Sequence, residues 1–128
     1  MGVNMRTFDI GNERLVEVPS DGPRLTALQD IIDIIGNAFS SEASAVALPA
    51  SRLGPDFFRL RTGIAGEVFQ KFQTYRIRLI VFGDISEHVA ASTALRDFVI
   101  ETNRIGYHQF ARDIAGAERF LASRNELA

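Results

Sequence analysis

A chain of 128 residues, 46% of them hydrophobic, carries enough apolar material for one core, and with no cysteine it can form no disulfide, thiolate nucleophile or cysteine-ligated metal site. Its 14 Lys and Arg against 16 Asp and Glu leave a net charge of −2, which argues against nucleic-acid binding through a broad basic face. No run approaches the roughly 20 apolar residues of a membrane span, and the N-terminus MGVNMRTFDI has no signal-peptide pattern. One cytoplasmic domain over residues 1–128 is therefore expected, off the membrane, with neither a cofactor nor a metal.

Taken in order, Met5–Ile10 and Arg14–Val18 read as short strands around Gly11-Asn12, a pair suited to the positive φ angles of a tight hairpin. Pro19-Ser20-Asp21-Gly22-Pro23 breaks the pattern, and Thr26 with Gln29 three residues on fits a capping box for the next helix. Leu28, Ile31, Ile32, Ile35 and Phe39 predict its apolar face, with Asp30, Asp33 and Asn37 opposite. Ala45–Leu48 reads as a small buried strand ended by Pro49. Ala50–Leu60 is the longest irregular stretch, in which Pro55 opens a short turn that carries Phe57 and Phe58 into the core.

Thr62 is placed as the N-cap of a helix whose Ile64, Ala65, Val68, Phe69, Phe72 and Tyr75 form one broad stripe, with Glu67 and Lys71 spaced for an ion pair. Leu79–Phe82 is an uninterrupted β-prone run stopped by Gly83-Asp84, as in a strand covered on both faces. Ile85–Ala91 reads as a loop. Ser92 or Thr93 starts a helix with Leu95, Phe98, Val99 and Thr102 on one face, and Gly106 suits a left-handed C-cap. His108–Ala111 is a short strand, and Asp113 caps a last helix that buries Ile114, Ala117 and Leu121. This order predicts an α/β fold: a mixed, mostly parallel sheet of four to five strands with about four helices, opening with a β-hairpin. Val46 and Leu79–Phe82 should lie on neighbouring, parallel central strands.

RLRTGIAGEVFQKFQTYRIRLIVFGD, residues 59–84, and LRDFVIETNR, residues 95–104, contain the series Leu-x-Thr-Gly-x-Ala-Gly-Glu, Gln-Lys-Phe, Tyr-Arg, Gly-Asp and Asp-Phe-x-x-Glu-x-Asn-Arg. In these residues, and over most of its length after Pro55, the chain resembles an uncharacterised bacterial family of domains of unknown function, DUF4180. The element order is in turn similar to the STAS (sulfate transporter and anti-sigma factor antagonist) fold. There the segment matching Phe57–Ala65 carries an Asp-Ser-x-Gly motif whose serine is a phosphorylation switch. With Gly63 as the motif glycine, the Asp and Ser positions fall on Leu60 and Arg61 and the x on Thr62. The resemblance thus implies a STAS-like interaction module without its phosphoswitch.

Two functional readings follow. A helix start at Thr62-Gly63 beside Arg61 presents free N–H groups and positive potential to a phosphate, sulfate or carboxylate. In a βαβ arrangement it should share the carboxyl end of the sheet with Asp84 and Ser86. Arg61, Thr62, Gly63, Asp84 and Ser86 are therefore the expected surface for a small anionic ligand or a protein partner. The alternative is a small enzyme using Glu67, Asp84 or Glu101, with Arg61 as an anion clamp. Glu101 and Arg104, three apart on a helix, are spaced for a simple ion pair. His88 and His108 have no triad-like spacing. A homodimer through an uncovered sheet edge is a further expectation, opposed by Arg6 and Arg14 if those serve to protect the edge.

Overall fold

The computed structural model describes residues 5–127, and side chains as far as 124. A five-stranded sheet runs in the order β1-β2-β3-β4-β5. β1 (Arg6–Ile10) and β2 (Glu13–Glu17) form the expected antiparallel hairpin, with Arg6 opposite Glu17 and Ile10 opposite Glu13. Gly11 takes the φ of 59° that its turn requires. β3 (Ala45–Pro49), β4 (Arg78–Phe82) and β5 (Gln109–Ala111) then add in parallel, with Val46 opposite Leu79 and Leu48 opposite Val81.

Each parallel neighbour demands a crossover, and repeated crossovers of one hand in one direction place their helices on one side of the sheet. α1 (Leu28–Ser40), α2 (Ile64–Thr74) and the pair α3 (Ser86–Ala91) and α4 (Thr93–Ile105) occupy that side. They pack on Val46, Leu48, Leu79 and Val81. Strand alternation sends Ala45, Ala47 and Ile80 to the other side, where α5 (Ile114–Leu127) lays Ala117 and Leu121 against them. The small side chains of β3 let that helix sit close to the sheet.

Several expected local devices are present. Ser92 caps α4 by accepting from the Leu95 N–H at 3.1 Å, Gly106 ends it with φ 78°, and Asp113 accepts from the Gly116 N–H at 2.8 Å. The turn after Pro55 does bury Phe57 and Phe58, edge to face with centroids 5.0 Å apart.

Other details differ. The cap of α1 is Asp30 rather than a Thr26–Gln29 box, its carboxylate accepting from the N–H groups of Thr26 (3.2 Å) and Ala27 (3.1 Å). Its buried stripe is Ile31, Ile34, Ile35 and Ala38, so Leu28, Ile32 and Phe39 are left exposed. The helix carries two adjoining apolar stripes, and the sheet takes the broader one. α2 begins one residue later than predicted, with Gly63 at its N-cap in a left-handed conformation, φ 77°, and Thr62 in the preceding 3-10 turn. Its buried residues are Ala65, Val68, Phe69 and Phe72, while Ile64 and Tyr75 stay exposed. Among the described residues Glu67 and Lys71 form no ion pair. The expected loop Ile85–Ala91 is mostly helix α3.

His108 is buried just before β5, and its Nδ1 accepts the Leu79 N–H at 2.9 Å, continuing the β4 ladder through a side chain one step ahead of the first backbone pair, Ile80 with Gln109. That bond requires the neutral ring with its proton on Nε2. Burial, reinforced by the nearby Arg78 charge, lowers the imidazole from 6.5 to about 4.

Phe72, fully buried in the larger core, should cost about 3–5 kcal/mol when replaced by alanine, read as a fall in the urea midpoint. A second expectation concerns pH. The unfolded chain takes up the His108 proton first, so the contribution of this group is complete above pH 6.5 and is lost as pH falls towards about 4. After allowance for solvent at the ring edge the loss should be about 2 kcal/mol. Urea midpoints measured across that window should flatten in His108→Asn, whose amide oxygen can still accept from Leu79.

Candidate functional site

Parallel pairing directs the carboxyl ends of β2, β3, β4 and β5 to one side of the molecule, where the following connections assemble. The strand order never reverses among these strands, so no switch-point crevice opens between them. The hollows at this end are built by the connections themselves.

Arg52 holds the first two connections together. A 3-10 turn, Ala50–Arg52, follows Pro49 and carries the side chain beneath the β2–α1 connection, where it is 5% exposed. Nε donates to the Pro23 carbonyl at 2.7 Å, and Nη1 donates to those of Pro19 (2.7 Å) and Asp21 (3.2 Å). Gly22 crosses over the guanidinium with φ 126°, where a Cβ would stand 3.1 Å from Cζ. The backbone adds to the tie: the Leu25 N–H donates to the Arg52 carbonyl at 2.7 Å, and Leu25 bridges Leu53.

Held in this way, the β2–α1 connection forms one wall of a groove of about 300 Å³ between the starts of α1 and α2. Leu25, Ile31, Leu53, Phe57 and Val68 line it, with Arg24, Asp56 and Glu67 contributing its charged atoms. Arg24 and Glu67 are exposed, and neither forms an ion pair among the described residues.

Arg61, Thr62 and Gly63 are exposed, as an accessible site needs. Part of the donor set is already engaged: the Gly63 N–H donates to the Leu60 carbonyl at 3.0 Å and the Ile64 N–H to the Thr62 hydroxyl at 3.3 Å. The same hydroxyl lies 2.8 Å from the carbonyls of both Asp56 and Arg59. Arg61 lines a hollow of about 530 Å³ with Phe58, Arg59, Glu87 and His88.

Asp84 borders a neighbouring hollow of about 350 Å³ with Ser20, Arg24, Ser51 and His88. Its carboxylate accepts the Ser86 N–H at 2.9 Å, and bonds from the Ser86 hydroxyl and backbone lower its pKa below the ordinary value. The Asp84–Ser86 pair is thus committed to starting α3. Ser86 also borders a third hollow, of about 360 Å³, with Val99, Phe110 and Arg112. The expected surface is therefore divided among adjoining hollows. Arg61 and Asp84 meet through His88, which lines both their hollows and stacks on Phe58 with centroids 4.2 Å apart and planes at 12°.

The carboxylates of the enzymatic alternative lie apart. Glu67 lines the groove between α1 and α2, Asp84 caps α3, and Glu101 on the exposed side of α4 is paired with Arg104, which lowers its pKa. Among the described residues no group of three or more His, Asp or Glu could hold a metal ion, and no helix is long and apolar enough to cross a membrane.

Sequence reasoning left Arg24, Arg52 and His88 out of the site. Nothing in the sequence around Arg52 marks it as buried. Arg52→Ala should cost about 2–4 kcal/mol, because several carbonyls lose their donor and the loop above loses its support. Chemical denaturation would measure that loss, and backbone amide exchange should rise chiefly in residues 19–25.

Residues 10–121 match the family model described as Domain of unknown function (DUF4180). No curated protein and no solved structure matches the chain. Because the family model spans most of the chain, from the end of β1 into α5, the chain belongs to the DUF4180 family of domains of unknown function.

Proposed function

We propose that this protein is a noncatalytic binding module that holds a small amphiphilic anion at the carboxyl end of its sheet. The observation that carries the reading is the convergence there of Arg24, Arg61 and His88 on adjoining hollows, with Arg24 also at the rim of the apolar groove. Arg24 and Arg61 are in no ion pair among the described residues. A guanidinium with unspent donors recognises a carboxylate or phosphate, and an adjacent apolar groove rewards a hydrocarbon body. The helix start at Thr62-Gly63 adds favourable potential with its remaining N–H groups.

The STAS-like reading supports the same end of the molecule, since the hairpin-led mixed sheet and the helix after the β3 connection suit that arrangement. Leu60 and Arg61 stand where that fold keeps its Asp and Ser, so the module works by binding rather than by serine phosphorylation. We place it in a bacterial cytoplasm, on the family resemblance and the cysteine-free chain. The separation of Glu67, Asp84 and Glu101 weighs against the enzymatic alternative.

The test is titration of the full chain with octanoate and with phenyl phosphate, followed by amide chemical shifts. Saturable shifts are expected at Arg24, Leu25, Arg61 and His88. Arg24→Glu and Arg61→Glu should each change stability by only about 0.5 kcal/mol while weakening binding by about tenfold or more. Absence of saturable shifts with either probe would remove the reading, and turnover of a small molecule that is lost in Glu67→Gln or Glu101→Gln would replace it with the enzymatic one.

A further inference from the structure

Five of the seven large apolar side chains left exposed among the described residues lie together, the other two being Ile100 and Ile105 on α4. Leu28, Ile32 and Phe39 of α1 are 40%, 41% and 54% exposed, and Ile64 and Tyr75 of α2 are 40% and 48% exposed. At about 100° per residue, each set falls within a narrow arc of its helix. The two arcs face the same seam. At one end Leu28 and Ile64 line the same groove, and at the other the Phe39 and Tyr75 rings meet edge to face with centroids 5.6 Å apart. Together the five expose on the order of 400 Å², within the range of the largest apolar patch a typical monomer shows. With its polar rim such a face approaches the roughly 800 Å² that each partner buries in a standard interface.

Gly36 is a second and independent observation. It lies in the middle of α1, between Ile32 and Phe39 and on the same outer shoulder, and a Cβ added there meets nothing within 4 Å. Its φ is not positive, so the backbone does not demand glycine. A mid-helix glycine lowers helix stability relative to alanine, and no neighbour within the chain calls for the missing side chain. Close approach of another backbone does call for it.

The charges around the seam identify the occupant. α1 carries no basic residue and bears the exposed Asp33 beyond Gly36, whereas α2, past Glu67 in its first turn, offers Lys71 and then Arg76. A two-fold axis that lays α1 of each copy across α2 of the other joins apolar seam to apolar seam and brings Asp33 towards Lys71. A face acidic on one flank and basic on the other is self-complementary, as an isologous contact requires. The β1 edge is less suited, since its Arg6 and Asp9 are ion-paired within the hairpin and keep charge along the outer strand.

We propose that the α1–α2 seam is a self-association surface occupied by a second copy of this chain, with Gly36 as the point of closest helix approach. This surface shares Leu28 and Ile64 with the rim of the groove proposed for the ligand's apolar body but uses neither Arg61 nor His88, and it stands whether or not a ligand binds there.

Sedimentation velocity of the full chain from about 1 μM to about 1 mM should show a concentration-dependent monomer–dimer equilibrium. Ile32→Glu and Gly36→Leu should each weaken dimerisation at least about tenfold. Gly36→Leu should retain the wild-type circular dichroism spectrum and melt no lower than wild type in dilute solution, because the monomer has room for the side chain. Ile100→Glu, which alters a still more exposed apolar residue on α4, should dimerise as wild type does. A wild-type chain that stays monomeric throughout, a dimer that survives Gly36→Leu, or an equal loss in Ile100→Glu would each overturn the proposal. Should Ile32→Glu fail to fold, Gly36→Leu decides the matter.

Discussion

A buried guanidinium must recover from the protein the hydrogen bonds it gave up to water, and at Arg52 it recovers them from main-chain carbonyls of the β2–α1 connection. Among the described residues no carboxylate is engaged. The choice has consequences for structure, because carbonyls spread along a loop can be gathered about one group only if the loop wraps around it. Two prolines and Gly22 make that wrapping affordable: the prolines give up no donor the sheet requires, and the glycine permits the crossing over the cation. The position of Arg24, the entry into α1 and one wall of the groove all depend on this arrangement.

The same end of the molecule shows how little room the fold leaves for chance. Phe57 and Phe58 enter the core from a connection rather than from a regular element, and Phe58 also supports the ring of His88 from below. A histidine stacked on a phenylalanine anchored in the core has few rotamers left, so a surface that would otherwise be soft is held in shape. Asp84 and Ser86 contribute in another way: by starting α3 immediately after β4 they bring His88 within a single turn of the strand end. Residues that look like candidates for contact with a ligand thus also position their neighbours.

The central architecture was legible because its physics is local. Leu79–Phe82 and Ala45–Leu48 are apolar on consecutive residues, which only a strand buried on both faces needs, and the hairpin, the Ser92 and Asp113 caps and the Gly106 stop depend on short-range chemistry. α1 was harder to read. Leu28, Ile32 and Phe39 repeat as regularly as Ile31, Ile34, Ile35 and Ala38, and periodicity cannot say which stripe meets the sheet when a helix is apolar around so much of its circumference. α3 escaped because six residues are too few for a period to show. The carboxyl-end location of Arg61 and Asp84 followed from βαβ logic, but the partners of Arg52 lie some 30 residues away and His88 meets Phe58 across a helix and a strand, so neither relation leaves a mark on neighbouring residues.

The two faces of the sheet are covered by very different means. One is buried under helices that arise between the strands, each available as soon as its own crossover exists, while the other waits for α5 alone. All five strands precede α5 in the chain, and until α5 docks Leu15, Ala45, Ala47 and Ile80 form an open apolar sheet surface. A released chain ending before Ile114 is therefore a sheet finished on one side and adhesive on the other. The helix α5 acts as the latch that closes the second face, and the alanines of β3 keep the uncovered surface shallow in the interval.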